Sequence, residues 1–374
     1  MKKRITNLDF IRGIAVLGIL IMNTRFFAMS KSAMFNISTA GAENFIDWSI
    51  LILTQLFVAD KMMGLFSILF GASIVLFIES AKSKQRKKPR LLSLWRNLLL
   101  LIFGGIHASF WIGDVLLLYA LCAVIIIIIH NRSIKLLIFL SILLTYFGAI
   151  IAPFFQMFFD NQGNLISAAR DTFLDGKGLT GYWFVDSNKW GEAIQTFFGL
   201  DAIGRALGMM LLGVVLYRLS ILQGAKDKLF YKKIVYIFLP LGLILTSINI
   251  VWLSLENYDP SIAVVSSFPL KLGIIPICLG YIGLLSIFNM NLSEKIAIYI
   301  RSCGQMAFTN YITQTVLCFI FLEGVFQNHM FSIVELSVFV MLVWALQLFW
   351  SKYWLKKYKY GPLEWLWRKL TYIF

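Results

Sequence analysis

Long apolar runs alternate with short polar or basic segments along the whole chain. They fall at about 8–29, 46–80, 92–112, 114–130, 134–153, 193–217, 233–254, 262–288, 296–322 and 333–351. A hydrocarbon core about 30 Å thick takes roughly 20 residues of α-helix, and lipid offers no partner to an open strand edge. The pattern therefore predicts an all-α, polytopic transmembrane helical bundle of about ten spans. The second run is too long for one straight crossing and is expected to bend or break. No internal repeat and no linker divides the sequence, so residues 1–374 read as a single transmembrane domain, with 352–374 a basic, aromatic interfacial tail.

Composition strengthens this picture. Hydrophobic residues make up 59% of the 374 and charged residues 14%, with a mean hydropathy of +0.78. A formal net charge of +15 would suggest nucleic acid in a soluble protein, but here the positions of the cations matter more. Of the Lys and Arg residues, only Arg25, Lys31, Arg170, Lys177 and Lys189 fall in the outer segments, and Lys61, Arg205 and Lys271 fall within spans. All others sit in the alternate, inner segments. Cytoplasmic loops carry such an excess, so both termini are expected to be cytoplasmic. The protein is expected to lie in the cell membrane as a multi-pass chain with lipids as its surroundings; homo-oligomers fit this class and nucleic acid is not an expected partner.

Residues 9–25 carry Asp9, Arg12, Asn23 and Arg25 and precede no small-residue cleavage site, so the first run is expected to be a span and not a cleaved signal. Cys122, Cys278, Cys303 and Cys318 are dispersed without paired spacing, and His107, His130 and His329 lie far apart. Neither a disulfide framework nor a metal site is expected. The inner run KSKQRKKPR (82–90) reads most simply as a topogenic, headgroup-facing loop. The outer segment at about 154–192 is long enough for a lid or acceptor-binding loop, or a spacer. In the tail, Trp and Tyr alternating with cations suit an interfacial anchor; alternatively Glu364 and Arg368, spaced i,i+4, pack against the cytoplasmic mouth and shape a site there.

Charged groups inside spans are costly and usually face a cavity or a partner. Asn23, Asp60, Lys61, Asp201, Arg205, Lys271, Asn310 and Gln314 all fall between mid-membrane and the outer side in the ten-span arrangement. They are candidate substrate-binding residues of one outward-opening pocket. His107, near the end of the third span, and Asp114, opening the fourth, belong to the same depth and are the candidate catalytic pair. A histidine serves as a general base near neutral pH, and a carboxylate on its other nitrogen fixes the tautomer. The bland alternatives are a capping Asp114, a mutually neutralising Asp201–Arg205 pair and a His107 that donates to a backbone carbonyl. At the inner end, Asp9 and Arg12 share a helix face at i,i+3 and are candidates for holding a phosphate-bearing ligand.

Several segments carry a family resemblance: NLDFIRGIAVLGILIMN (7–23), LFSILFGASI (65–74), GGIHASFWIGDVLLLYAL (104–121), GRALGMMLLGVVLYR (204–218), GQMAFTNYITQT (304–315) and YGPLEWLWRKLTY (360–372). Together they closely resemble the YeiB-like membrane proteins, domain of unknown function 418. The opening motif more distantly resembles heparan-alpha-glucosaminide N-acetyltransferase and its transmembrane acyltransferase superfamily. Asn23 matches a functional asparagine there, whereas Met34 stands where that enzyme has its catalytic histidine. The resemblance implies transfer of an acyl group from cytosolic acyl-CoA to an acceptor across the membrane; on that expectation Arg12 and neighbouring cations hold the phosphates, His107 activates the hydroxyl or amine of an external or lipid-linked sugar, and Asn23 or Asn310 meets the oxyanion. The competing expectation is a transporter or lipid-handling protein, suggested by the interrupted segment FPLKLGIIP (268–276).

Overall fold

A computed structural model describes residues 4–29, 37–111, 113–155, 189–259, 262, 265–326 and 329–373. The expected outer segment at 154–192 lies almost wholly outside the described residues. The rest is a helical bundle, with α1 Thr6–Ala28, α2 Phe45–Phe57, α3 Lys61–Ser83, α4 Pro89–Phe110, α5 Leu116–Ile129 and α6 Ile134–Phe155. There follow α7 Lys189–Arg218, α8 Lys228–Leu255, α9 Ser267–Asn291, α10 Glu294–Gln305, α11 Ala307–Cys318, α12 Ile333–Lys357 and α13 Pro362–Thr371. Among the described residues, nine stretches are long and apolar enough to span a membrane. The fourth expected span, α5, has 14 residues, about 21 Å at 1.5 Å per residue.

Two expected spans are broken, and in each case polar groups take up the backbone atoms that the break releases. The second run divides at Asp60, which adopts a left-handed conformation (φ 61°) between α2 and α3. There the buried Lys61 ammonium donates to the Gln55 carbonyl at 2.6 Å, and the Tyr281 hydroxyl donates to the Phe57 carbonyl at 2.7 Å. The ninth run, read as continuous in the sequence, divides at Met306 between α10 and α11. Asn310 Nδ2 donates to the Cys303 carbonyl at 3.1 Å, and the Glu364 carboxylate on α13 accepts from the amides of Phe308 and Thr309 at 2.8 and 3.1 Å. Unsatisfied backbone groups in hydrocarbon cost several kcal/mol each, so both breaks depend on these side chains.

Inside the bundle, small residues let helices approach closely. A Cβ on Gly71 of α3 would lie 2.1 Å from the Met210 carbonyl oxygen of α7, and one on Gly213 of α7 would lie 1.9 Å from that of Ile68. Such contacts replace the hydrophobic driving force that lipid removes. The buried core runs through α1, α3, α5, α7 and α9, while Ile128, Ile237 and Leu342 point outward, as suits lipid.

Candidate functional site

The outer end of α4 turns through Trp111 and Gly113 into α5, and this turn brings His107 and Asp114 together. His107 Nδ1 lies 2.6 Å from Asp114 Oδ1. The second oxygen, Oδ2, accepts the Leu117 amide at 2.7 Å, so Asp114 both holds the imidazole and caps α5. An ionised carboxylate only accepts, which puts the proton on Nδ1 and leaves Nε2 with a free lone pair. The carboxylate is almost inaccessible, at 1% exposure. His107 is edge-on to Tyr311 and Trp111, with ring centroids 5.4 and 5.6 Å away. Its Nε2 is buried and has no partner, and the same holds for Trp111 Nε1 and Asn23 Nδ2.

From the other side a cavity of about 240 Å³ reaches towards this pair. Arg4, Arg12, Arg96 and Arg368 line its mouth, and Leu116 and Tyr311 line its inner end. Each guanidinium has a reason to be where it is. Arg12 donates to Ser73 Oγ at 2.9 Å and pairs with Asp9 at 3.4 Å, which also holds Arg4 at 2.5 Å. Arg96 lies 3.9 Å over the Trp367 ring and 4.7 Å over Phe77, a cation–π sandwich. Arg368 sits over Tyr360 at 5.0 Å. Burial pushes the Glu364 carboxyl above its ordinary value, while its bonds to Thr309 and Phe308 oppose the shift. Arg96 and His107 are eleven positions apart on α4, about 16 Å along its axis.

A separate polar group lies at the break between α2 and α3. Arg205 on α7 bridges Asp60 at 2.5 Å and Asp201 at 3.1 Å, and Lys271 on α9 reaches Asp201 at 3.2 Å. Room for Asp201 exists only because residue 148 is glycine: a Cβ there would lie 1.3 Å from Asp201 Oδ1. With Lys61 on the Gln55 carbonyl, every charge here has an internal partner.

Asn310 and Gln314 form a third group. Asn310 Oδ1 accepts the Trp350 indole at 2.7 Å and its Nδ2 also meets Ser351 at 3.0 Å. Gln314 Nε2 donates to the Val16 carbonyl at 3.0 Å and to Gln347 Oε1 at 2.9 Å. These bonds tie α11 to α1 and α12. The polar residues expected to share one outward pocket thus divide into three places: the His107 cage with Asn23 on the same face of α1 as its wall residues Phe26 and Phe27; the Asp60–Arg205–Asp201–Lys271 network; and the Asn310–Gln314 seam. Asp9 stands behind Arg12 and is not part of the cavity lining. Tyr311, Trp111, Arg96 and Trp367 were not among the sequence candidates. Arg96 was legible only as a topogenic cation, and the tail's alternative reading, in which Glu364 and Arg368 shape the mouth, matches where these residues lie.

The model of a family described as a protein of unknown function (DUF418) matches residues 216–374. Over nearly its whole length the chain is similar to Uncharacterized protein YeiB of Escherichia coli K12, at 30% identity covering 99% of this chain and 97% of that protein. It is 28% identical to an uncharacterized 39.9 kDa protein in the amylase 3' region of Bacillus acidopullulyticus, covering 100% and 95%. Protein YxaH of Bacillus subtilis 168 is 26% identical, covering 99% and 95%. No solved structure matches.

Proposed function

This chain belongs to the YeiB-like DUF418 family, and we propose that it is an acyltransferase of the cell membrane that takes its acyl group from cytosolic acyl-CoA. The observation that carries the reading is the cavity itself: one continuous space runs from four arginines to Tyr311, whose ring packs on His107. Guanidiniums are suited to phosphate oxygens by their paired, planar donors. Beyond them Phe66, Phe70 and Phe308 give the cavity an apolar lining, fit for the uncharged arm and acyl chain of the donor.

In this reading the thioester carbonyl comes to rest beside His107. Asp114 holds Nδ1–H, so that Nε2 accepts the proton of an external or lipid-linked sugar acceptor as it attacks. The carbonyl oxygen gains charge in that step, and the Asn23 amide, a donor without a partner, is the group we assign to meet it. The carbon–sulfur bond then breaks and coenzyme A returns to the inner side. Asp60, Asp201, Arg205 and Lys271 neutralise one another and fix the first turns of α3 and α9 against the middle of α7. Asn310 and Gln314 hold α11, and through it Tyr311, in place.

Segment 268–276 is not interrupted, since it lies within the continuous α9; the broken span at Asp60, with its buried ion network, is what favours a second reading as a transporter. Ligand binding separates the two. Coenzyme A, dephospho-coenzyme A and pantetheine are titrated against the purified full chain with thermal unfolding as readout. The acyltransferase reading expects stabilisation to fall in that order and Arg12→Gln to weaken the coenzyme A response roughly tenfold, the size of one charged hydrogen bond. Absence of stabilisation by coenzyme A and by acetyl- and palmitoyl-CoA contradicts it.

A further inference from the structure

Two aromatic rings at the outer end of α4 each bury one ring nitrogen with nothing to bond. His107 Nε2 and Trp111 Nε1 belong to rings whose centroids are 5.6 Å apart and inclined by 72°. Their hydrogen-bonding characters are opposite. In a neutral imidazole that donates from Nδ1 to Asp114, Nε2 is the acceptor; an indole nitrogen only donates. Trp111 is 1% exposed and is fixed by a stacked Phe27 at 5.2 Å and an edge-on Phe26 at 5.9 Å. The indole packs directly on Gly113, where a Cβ would lie 2.4 Å from Trp111 Cζ2 and 2.6 Å from Cε2, so glycine is what lets the ring sit there.

An acceptor and a donor on two neighbouring rings, both buried and without a partner, call for a group that gives one hydrogen bond and takes another. Resting on the acyltransferase reading, we infer that Trp111 and His107 together form the acceptor subsite and that the group received there is a hydroxyl, so that the enzyme makes esters. A hydroxyl donates its proton to Nε2 and accepts from the indole N–H in a single pose. An aliphatic amine is an ammonium at neutral pH and has no lone pair for Trp111; it would set a cation against an indole N–H. The chemistry balances without any redox partner. The hydroxyl proton moves to His107 Nε2 as the oxygen forms a bond to the thioester carbon; the carbon–sulfur bond breaks; and the leaving thiolate takes the proton back from Nε2. Ester and free thiol result. Trp111 touches the attacking oxygen in this scheme and orients its remaining lone pair towards the carbonyl.

The subsite is tested on the full chain in detergent with ¹⁵N-labelled tryptophan, the Trp111 indole resonance being assigned by its loss in Trp111→Phe, which keeps an aromatic ring. 1-Octanol and octylammonium are the probes, and coenzyme A binding is measured on the same samples. The expected result is a saturable octanol-dependent shift of that resonance, lost in His107→Ala, with octylammonium weaker by roughly tenfold, the worth of one buried hydrogen bond. A resonance unmoved by octanol, or moved equally by octylammonium, overturns the hydroxyl subsite even where coenzyme A binds. Octanol binding without coenzyme A binding overturns instead the donor reading beneath it. In transfer assays with labelled acetyl-CoA, the product label is expected to resist neutral hydroxylamine and to be released by alkaline hydroxylamine, as an oxygen ester is; label that resists both as an amide contradicts the inference.

Discussion

Asparagine at position 114 can keep only one of the two bonds that Asp114 makes. If its carbonyl oxygen caps the Leu117 amide, its NH₂ faces His107 Nδ1 and drives the imidazole to the tautomer with hydrogen on Nε2. The base is then lost while the cap stays. Asp114→Asn is therefore expected to keep its melting temperature, since Asn caps about as well as Asp, and to lose transfer by a factor on the order of 10⁴, as imposing the wrong tautomer does elsewhere. His107→Ala should lose activity to a similar extent, and the double variant should be no worse than either single one. Additive losses would show that the two residues do not act as a unit. The pairing was legible because both residues are ionisable and flank one short turn. Trp111 and Tyr311 were not, since an aromatic residue in an apolar run carries no mark of whether it faces lipid, core or cavity. Asn310 and Gln314 misled for a related reason: position along a span gives depth, but the direction in which a side chain points depends on neighbours far away in sequence.

Helix interruptions were only partly readable. A run of about 35 residues has to bend, so the division at Asp60 was expected; the division at Met306 was hidden because both halves are apolar and the carboxylate that caps α11 comes from Glu364, more than fifty residues later. Asp60→Asn tests the first break. Asn tolerates the left-handed backbone, so the turn survives, but Arg205 keeps only Asp201 as a charged partner. Removing one member of a buried ion pair typically costs 3–5 kcal/mol, and Asp60 is a third exposed, so a loss of about 1–2 kcal/mol is expected in reversible unfolding in detergent. No loss would show that the network does not brace α3 against α7. The α3–α7 contact itself is tested by Gly71→Val, whose side chain has to displace the Met210 backbone. A sharp drop in folded yield is expected, whereas wild-type yield and melting would contradict the close approach.

At the scale of the whole molecule, charge asymmetry and site geometry must agree on one orientation. The four arginines of the cavity mouth lie in segments that the positive-inside rule puts in the cytoplasm, and the His107 turn is at the opposite end of α4. The four native cysteines are buried, which makes single-cysteine labelling practicable. A cysteine at position 359 is expected to resist a membrane-impermeant reagent added to intact cells, and one at 161, outside the described residues, to react. The reverse pattern would place the arginines outside and remove the cytosolic donor. The bundle class and most span positions follow from hydropathy alone because lipid dictates them; how the helices are arranged about one another does not, since it is set by glycine contacts and side-chain bonds between distant segments. Sealed vesicles of both orientations, given labelled acyl-CoA from outside, test the central claim most directly. Inside-out vesicles are expected to release coenzyme A and to incorporate label, with both lost in His107→Ala and weakened in Arg12→Gln, while right-side-out vesicles remain inactive. Equal activity in both orientations, or transfer that survives His107→Ala, would contradict a donor path from the arginine mouth to His107.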